Sequence, residues 1–162
     1  MPHKLKIVQE LELSLLVYFG TVSATELDEV WQLLDATPTY SPHFDDITLL
    51  APDADYSDIA PEVAMAQSQK FVEAFRTNAL KRPKRSAFLC STNMHIAMAR
   101  MFGAFVYSQA VPNLDVRDFT SLEEAIAWIE SAKPGRNIDR VGIERLLIHM
   151  GEEWCLKPSH AA

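Results

Sequence analysis

Two neighbouring stretches decide how this chain folds: Glu12-Leu-Ser-Leu-Leu-Val-Tyr-Phe19, and directly after it Gly20-Thr-Val-Ser23-Ala-Thr-Glu26. The first is short, apolar, and carries the β-branched and aromatic residues that favour an extended strand. Gly20 ends it. In the second, the Ser23 hydroxyl can accept from the amide three residues on while Glu26 reaches back, which is a capping box. Leu27, Val30, Trp31 and Leu34 then recur at helical spacing, predicting a helix over 24–36. A strand, a tight turn and a capped helix make the opening of a β-α-β unit.

Working outward, residues 5–9 (LKIVQ) read as a strand that forms a hairpin-like pair with 12–19. Phe44 to Ala51 is apolar enough for a buried strand. Pro61 suits the first turn of a helix, where its missing N–H costs nothing, and the apolar spacing carries that helix to about residue 80. Residues 86–91 (SAFLCS) predict a further strand. Thr92-Asn93 caps a helix running to about 108, Leu114 to Phe119 alternates like an edge strand, and Ser121-Leu-Glu-Glu124 opens another capped helix. The order is β-β-α-β-α-β-α-β-α. Alternation of this kind predicts an α/β fold with a mixed, mostly parallel sheet of about five strands and helices packed on it. Residues 1–132 form that domain. Residues 133–162 add a C-terminal helix over 138–153, too apolar to stand in water, that packs on the domain or in a dimer interface.

Composition sets the class. The chain has 162 residues, 48% hydrophobic and 23% charged, enough to bury a core without disulfides or metals. Fifteen Lys plus Arg against twenty-two Asp plus Glu leave a net charge of −7, which disfavours nucleic-acid binding. The basic residues cluster once, at Lys81-Arg82-Pro83-Lys84-Arg85, where they would offset the negative end of the preceding helix. The longest apolar run, Leu13 to Phe19, is far shorter than the ~20 residues of a membrane span. Cys90 reads as a buried thiol, with no disulfide to Cys155. No signal-peptide core follows Met1, so the cytoplasm is expected.

Tyr40-Ser-Pro-His-Phe44, Arg100-Met-Phe102, Val116-Arg-Asp-Phe119 and Leu122-Glu-Glu-Ala-Ile-Ala-Trp128 join Gly20 to Glu26 as signposts in this element order. Over about residues 5–131 the chain resembles the SpoIIAA-like (STAS-like) family of small bacterial proteins. The resemblance implies a regulatory binding module, with lipid-holding CRAL-TRIO domains as relatives of similar topology. STAS antagonists of anti-sigma factors carry an Asp-Ser-Ser-Gly-like motif before one helix. Laying Asp58 on its aspartate puts Ile59 and Ala60 where the serines belong, so the usual phosphoacceptor is missing and Ser57 could substitute only from a shifted position.

Ligands of parallel sheets bind beyond the carboxyl ends of the strands. The candidate ligand loops there hold Tyr56, Ser57 and Asp58, and Ser91, Thr92, Asn93 and His95. The same Thr92 and Asn93 would serve as simple helix caps, and His95 as a surface or partly buried imidazole. Met94, Met98, Met101, Phe102 and Phe105 give one helix soft, adaptable side chains that suit an apolar pocket or a packed core. Asp53, Asp55 and Ser57 imitate the start of a calcium loop, but Asp58 and Ala64 occupy its glycine and glutamate positions. The five histidines lack metal-ligand spacing, and pairs such as Asp45-Asp46 read as solvated faces. No catalytic residue, metal or cofactor is expected. The sequence leads to a non-enzymatic regulatory or ligand-binding module, with a carrier of an apolar small molecule or lipid as the alternative. Its expected partners are a second copy of the chain, as a homodimer, and a regulatory protein or an apolar small molecule.

Overall fold

The computed structural model describes residues 2–133 and 135–150. Strand β1 (His3–Val8) turns through a 3-10 segment (Gln9–Leu11) into β2 (Leu13–Tyr18). There follow α1 (Ala24–Ala36), β3 (Asp45–Leu50), α2 (Pro61–Thr77), β4 (Lys84–Cys90), α3 (Asn93–Ser108), β5 (Leu114–Phe119), α4 (Leu122–Ser131) and α5 (Arg140–His149). The strands form one sheet in the order β1-β2-β3-β4-β5. The β1–β2 pair is antiparallel and every other pair parallel, so the sheet is mixed and mostly parallel, as the alternation of elements predicts.

Each crossover from β2 to β5 advances one place in the same direction. Right-handed crossovers therefore stack α1, α2 and α3 on one face of the sheet. Tyr18, Leu50 and Cys90 point to that face, among Val22, Val30 and Ala99. The alternate residues Leu13, Leu15, Val17, Ile47, Leu49, Ala87 and Leu89 point the other way and pack on α4 and α5. Ile138, Ile143 and Leu147 are buried in that second cluster. The C-terminal helix thus covers its own sheet. Trp154 and Cys155 lie outside the described residues.

The structure corrects three expectations. α2 stops at Thr77 rather than near residue 80, because Asn78 caps Ala74 O through its side chain (2.6 Å) and Ala79 takes a left-handed φ of 46°. Lys84 and Arg85 do not trail a helix end; they begin β4. Lys84 is 1% exposed, 3.0 Å from Asp46 and 4.9 Å from the Phe75 ring centre. Asp45 is not solvated: its side chain is fully buried, held by Arg85 N–H (2.7 Å), Lys133 (3.2 Å) and Arg136. Strand alternation turns Asp45 and Asp46 to opposite faces, but both meet cations delivered by other elements. Among the described residues, no helix is long and apolar enough to cross a membrane.

Candidate functional site

At the carboxyl ends of the strands, residues 51–60 are tied down by backbone bonds. Ala51 N–H donates to Tyr18 O (2.9 Å), Asp55 N–H to Gly20 O (2.8 Å) and Val22 N–H to Asp55 O (2.8 Å). Gly20 makes the turn at φ +60°, a conformation that favours glycine. On the other side, Ser91 Oγ donates to Leu50 O (2.7 Å), and Thr92 Oγ1 caps α3 by accepting from His95 N–H (3.2 Å). These ties place both candidate loops side by side.

His95 joins them. It is 3% exposed, and its Nε2 donates to Ala54 O at 2.9 Å, stapling the first turn of α3 to the 51–60 loop. The expectation of a surface or partly buried imidazole is thereby corrected. Positions 95, 99 and 106 share the inward stripe of α3, a signal already present in the helical spacing. Its ring meets Tyr56 edge-on at 6.4 Å, Tyr56 meets Tyr18 at 6.1 Å, and Tyr18 lies 6.4 Å from His3. Sequence reading missed Tyr18 and His3, because only the β1–β2 register (His3 opposite Tyr18) brings them here. His3 Nδ1, Tyr56 Oη and His95 Nδ1 are buried without a hydrogen-bond partner.

Burial pushes the Tyr18 and Tyr56 hydroxyls well above the usual tyrosine range. The Cys90 thiol is pushed up to about 12, first by burial and then by Asp118. A thiol so held stays protonated near neutrality and is a poor nucleophile. Ser57 N–H donates to Asp55 Oδ1 (2.9 Å), and that bond holds the Asp55 carboxyl below its ordinary range. Ser57, Asp58, Ser91 and Asn93 are exposed around this buried centre. Ala60 occupies the cap position of α2 with no side-chain bond, where the STAS motif would offer a hydroxyl. Among the described residues, no three His, Cys, Asp or Glu side chains converge in a metal-sized group.

The five residues of the candidate apolar pocket divide between two surroundings. Phe102 meets Phe71 (4.9 Å) and Phe88 (5.5 Å) edge to face, and Phe105 packs with the Val72–Phe75 cluster under α2. Met98 is partly buried. Met94 and Met101, one heptad apart, are 68% and 74% exposed, and Ala97 and Ala104 between and beyond them are exposed too. They form a surface stripe and not the wall of a common cavity. Two shallow depressions, of about 450 and 340 Å³, lie away from the strand carboxyl ends, one beside α2 and Gln109, the other beside Glu12 and Arg136.

A model of the SpoIIAA-like family matches residues 15–130. The chain belongs to the SpoIIAA-like family. The match runs from within β2 to the end of α4 and takes in both loops, His95 and the whole of α3. α5 lies beyond it. No curated protein and no solved structure matches the chain.

Proposed function

We propose that this SpoIIAA-like chain is a regulatory binding module without catalytic activity, which docks a partner protein on the outer face of α3 and the adjoining loop. One observation carries the reading: Met94 and Met101 stand exposed on a helix with a single charged residue, Arg100. Arg100 itself is neutralised by Asp118 at 3.2 Å. Exposed thioethers adapt to varied apolar surfaces, and methionine is enriched at protein interfaces. Family membership supports a STAS-type module, and the inert Cys90 thiol and the carbonyl-bound His95 ring support a role without chemistry. The module works as a homodimer inside the cell.

The test is photocrosslinking in producing cells, with p-benzoyl-phenylalanine at position 94 or 101 and, as control, at exposed position 32 on α1. A discrete heavier adduct from 94 and 101, absent from 32, is expected. Equal labelling at all three positions removes the docking face. Native mass spectrometry of the purified chain addresses the apolar-carrier alternative: the proposed module gives the mass of the polypeptide alone, and a retained lipid mass favours the carrier.

A further inference from the structure

The two edges of the sheet are chemically unlike. β1 carries Lys4 and Lys6, both exposed and on one face. A two-fold antiparallel pairing of β1 with its copy about Leu5 sets lysine against lysine, and like charges guard an edge against such pairing. β5 carries Asp115 and Arg117, also exposed and also on one face, opposite Arg85 and Ala87 of β4. Two-fold pairing about Val116 sets each Asp115 against Arg117 of the other copy. Here the alternation is self-complementary.

The backbone permits that register. Lys84 N–H donates to Asn113 O (2.7 Å), which turns Asn113, and by alternation Asp115 and Arg117, toward β4. The N–H and C=O groups of Val116 and Asp118 and the C=O of Leu114 therefore face outward, while Leu114 N–H turns back to Val111 O (3.4 Å). In a pairing about Val116, that residue exchanges both bonds with its own copy, and Leu114 O accepts from Asp118 N–H. Asp115 and Arg117 then fall at the non-hydrogen-bonded sites, where facing side chains approach most closely. α3 flanks this edge from above: Arg100 pairs with Asp118 (3.2 Å), and Gly103 has no side chain where a Cβ would stand 3.5 Å from Val116 O. One turn further along that flank Tyr107 is 89% exposed, an aromatic of the kind enriched at interfaces.

We infer that a second copy of this chain adds to the β5 edge, antiparallel and centred on Val116, to make one continuous sheet across a two-fold axis. The inference rests on the homodimer reading above and assigns its interface. A C2 contact needs only one self-complementary patch, and β5 supplies it on a chain whose net charge of −7 otherwise opposes self-association.

The experiment is sedimentation velocity on the wild type and on Asp115→Arg, Arg117→Glu and the doubly exchanged variant, with circular dichroism to check folding. Each single reversal makes two like-charge contacts by symmetry, and the dimer dissociation constant is expected to rise about tenfold or more. The double exchange restores opposite charges and returns the constant to within roughly threefold of wild type. Arg117 also lies over the Trp128 ring (5.1 Å) and Asp115 stands opposite Arg85 within its own chain, so it is the recovery in the double exchange that reports on the edge. A wild type that stays monomeric at about 100 µM removes both the homodimer reading and this interface. A dimer indifferent to both single reversals overturns the β5 interface while leaving the homodimer standing.

Discussion

Asp45 opens β3 with no exposed side-chain surface, and donors reach it from two other parts of the chain: the Arg85 amide, Lys133 and Arg136. Arg136 also donates to Glu12 O (3.2 Å) and Leu11 O, and Glu12 in turn binds Arg82 (2.9 Å), whose hydrogen bond holds its carboxyl below the ordinary range. A buried charge is tolerable only while its partners satisfy it. Asp45→Ala leaves Lys133 and Arg136 without their shared counter-charge. It is expected to destabilise the fold by about 3–5 kcal/mol, read from the urea midpoint, with Asp45→Asn losing less. A loss near that of a surface change, within about 0.5 kcal/mol, would mean the cations find solvent instead. Sequence reading took Asp45 for a solvated residue because its partners lie about forty to ninety positions away.

At the scale of elements, local chemistry is the more predictive guide. Ser23 accepts from Glu26 N–H while the Glu26 carboxylate accepts from Ser23 N–H (2.7 Å), and α1 spans Ala24–Ala36 as its capping box and apolar spacing predict. Ser121 gives α4 the forward half of the same motif, accepting from Glu124 N–H at 3.4 Å. α5 obeys a different constraint. Its spacing announces a helix, but buried Ile143 and Leu147, with Ile138 just before the helix, fix the segment to the face of the sheet that α1, α2 and α3 do not cover. At ~1.5–3 kcal/mol for each buried side chain, the segment contributes roughly 5–9 kcal/mol, comparable with the whole stability of a typical domain. A chain shortened to end at Lys133 should therefore lose its cooperative melt and bind a hydrophobic dye. A sharp thermal transition retained by that shortened chain would assign α5 to another task.

Across the whole molecule, burial also sets how the fold responds to alkali. Tyr18, Tyr40 and Tyr56 all have hydroxyls pushed above their ordinary range, each chiefly by burial. The folded state keeps these protons at a pH where the unfolded chain, near the ordinary value of about 10, gives them up. The unfolded state then binds fewer protons, so stability falls as pH rises. This contribution is fully present below about pH 10 and is lost progressively above it. Guanidinium midpoints measured from pH 8 to 11 should fall steeply only in the upper part of that range, and Tyr56→Phe should flatten the fall. An unchanged slope in that variant would place the alkaline sensitivity elsewhere.

The order of elements, the mixed sheet and the family resemblance were all legible in the amino-acid sequence, since caps, prolines and apolar spacing act over a few residues. The candidate site was legible only in outline. Thr92 as a cap could be read from its neighbours, whereas the closure of His95 on Ala54, the gathering of His3, Tyr18 and Tyr56, and the exposure of Met94 and Met101 depended on which faces met. Periodicity separates the faces of a helix but does not say which of them finds a partner. That decision belongs to the tertiary structure, where burial is shared among residues distant in the chain and each side chain's surroundings come from the others.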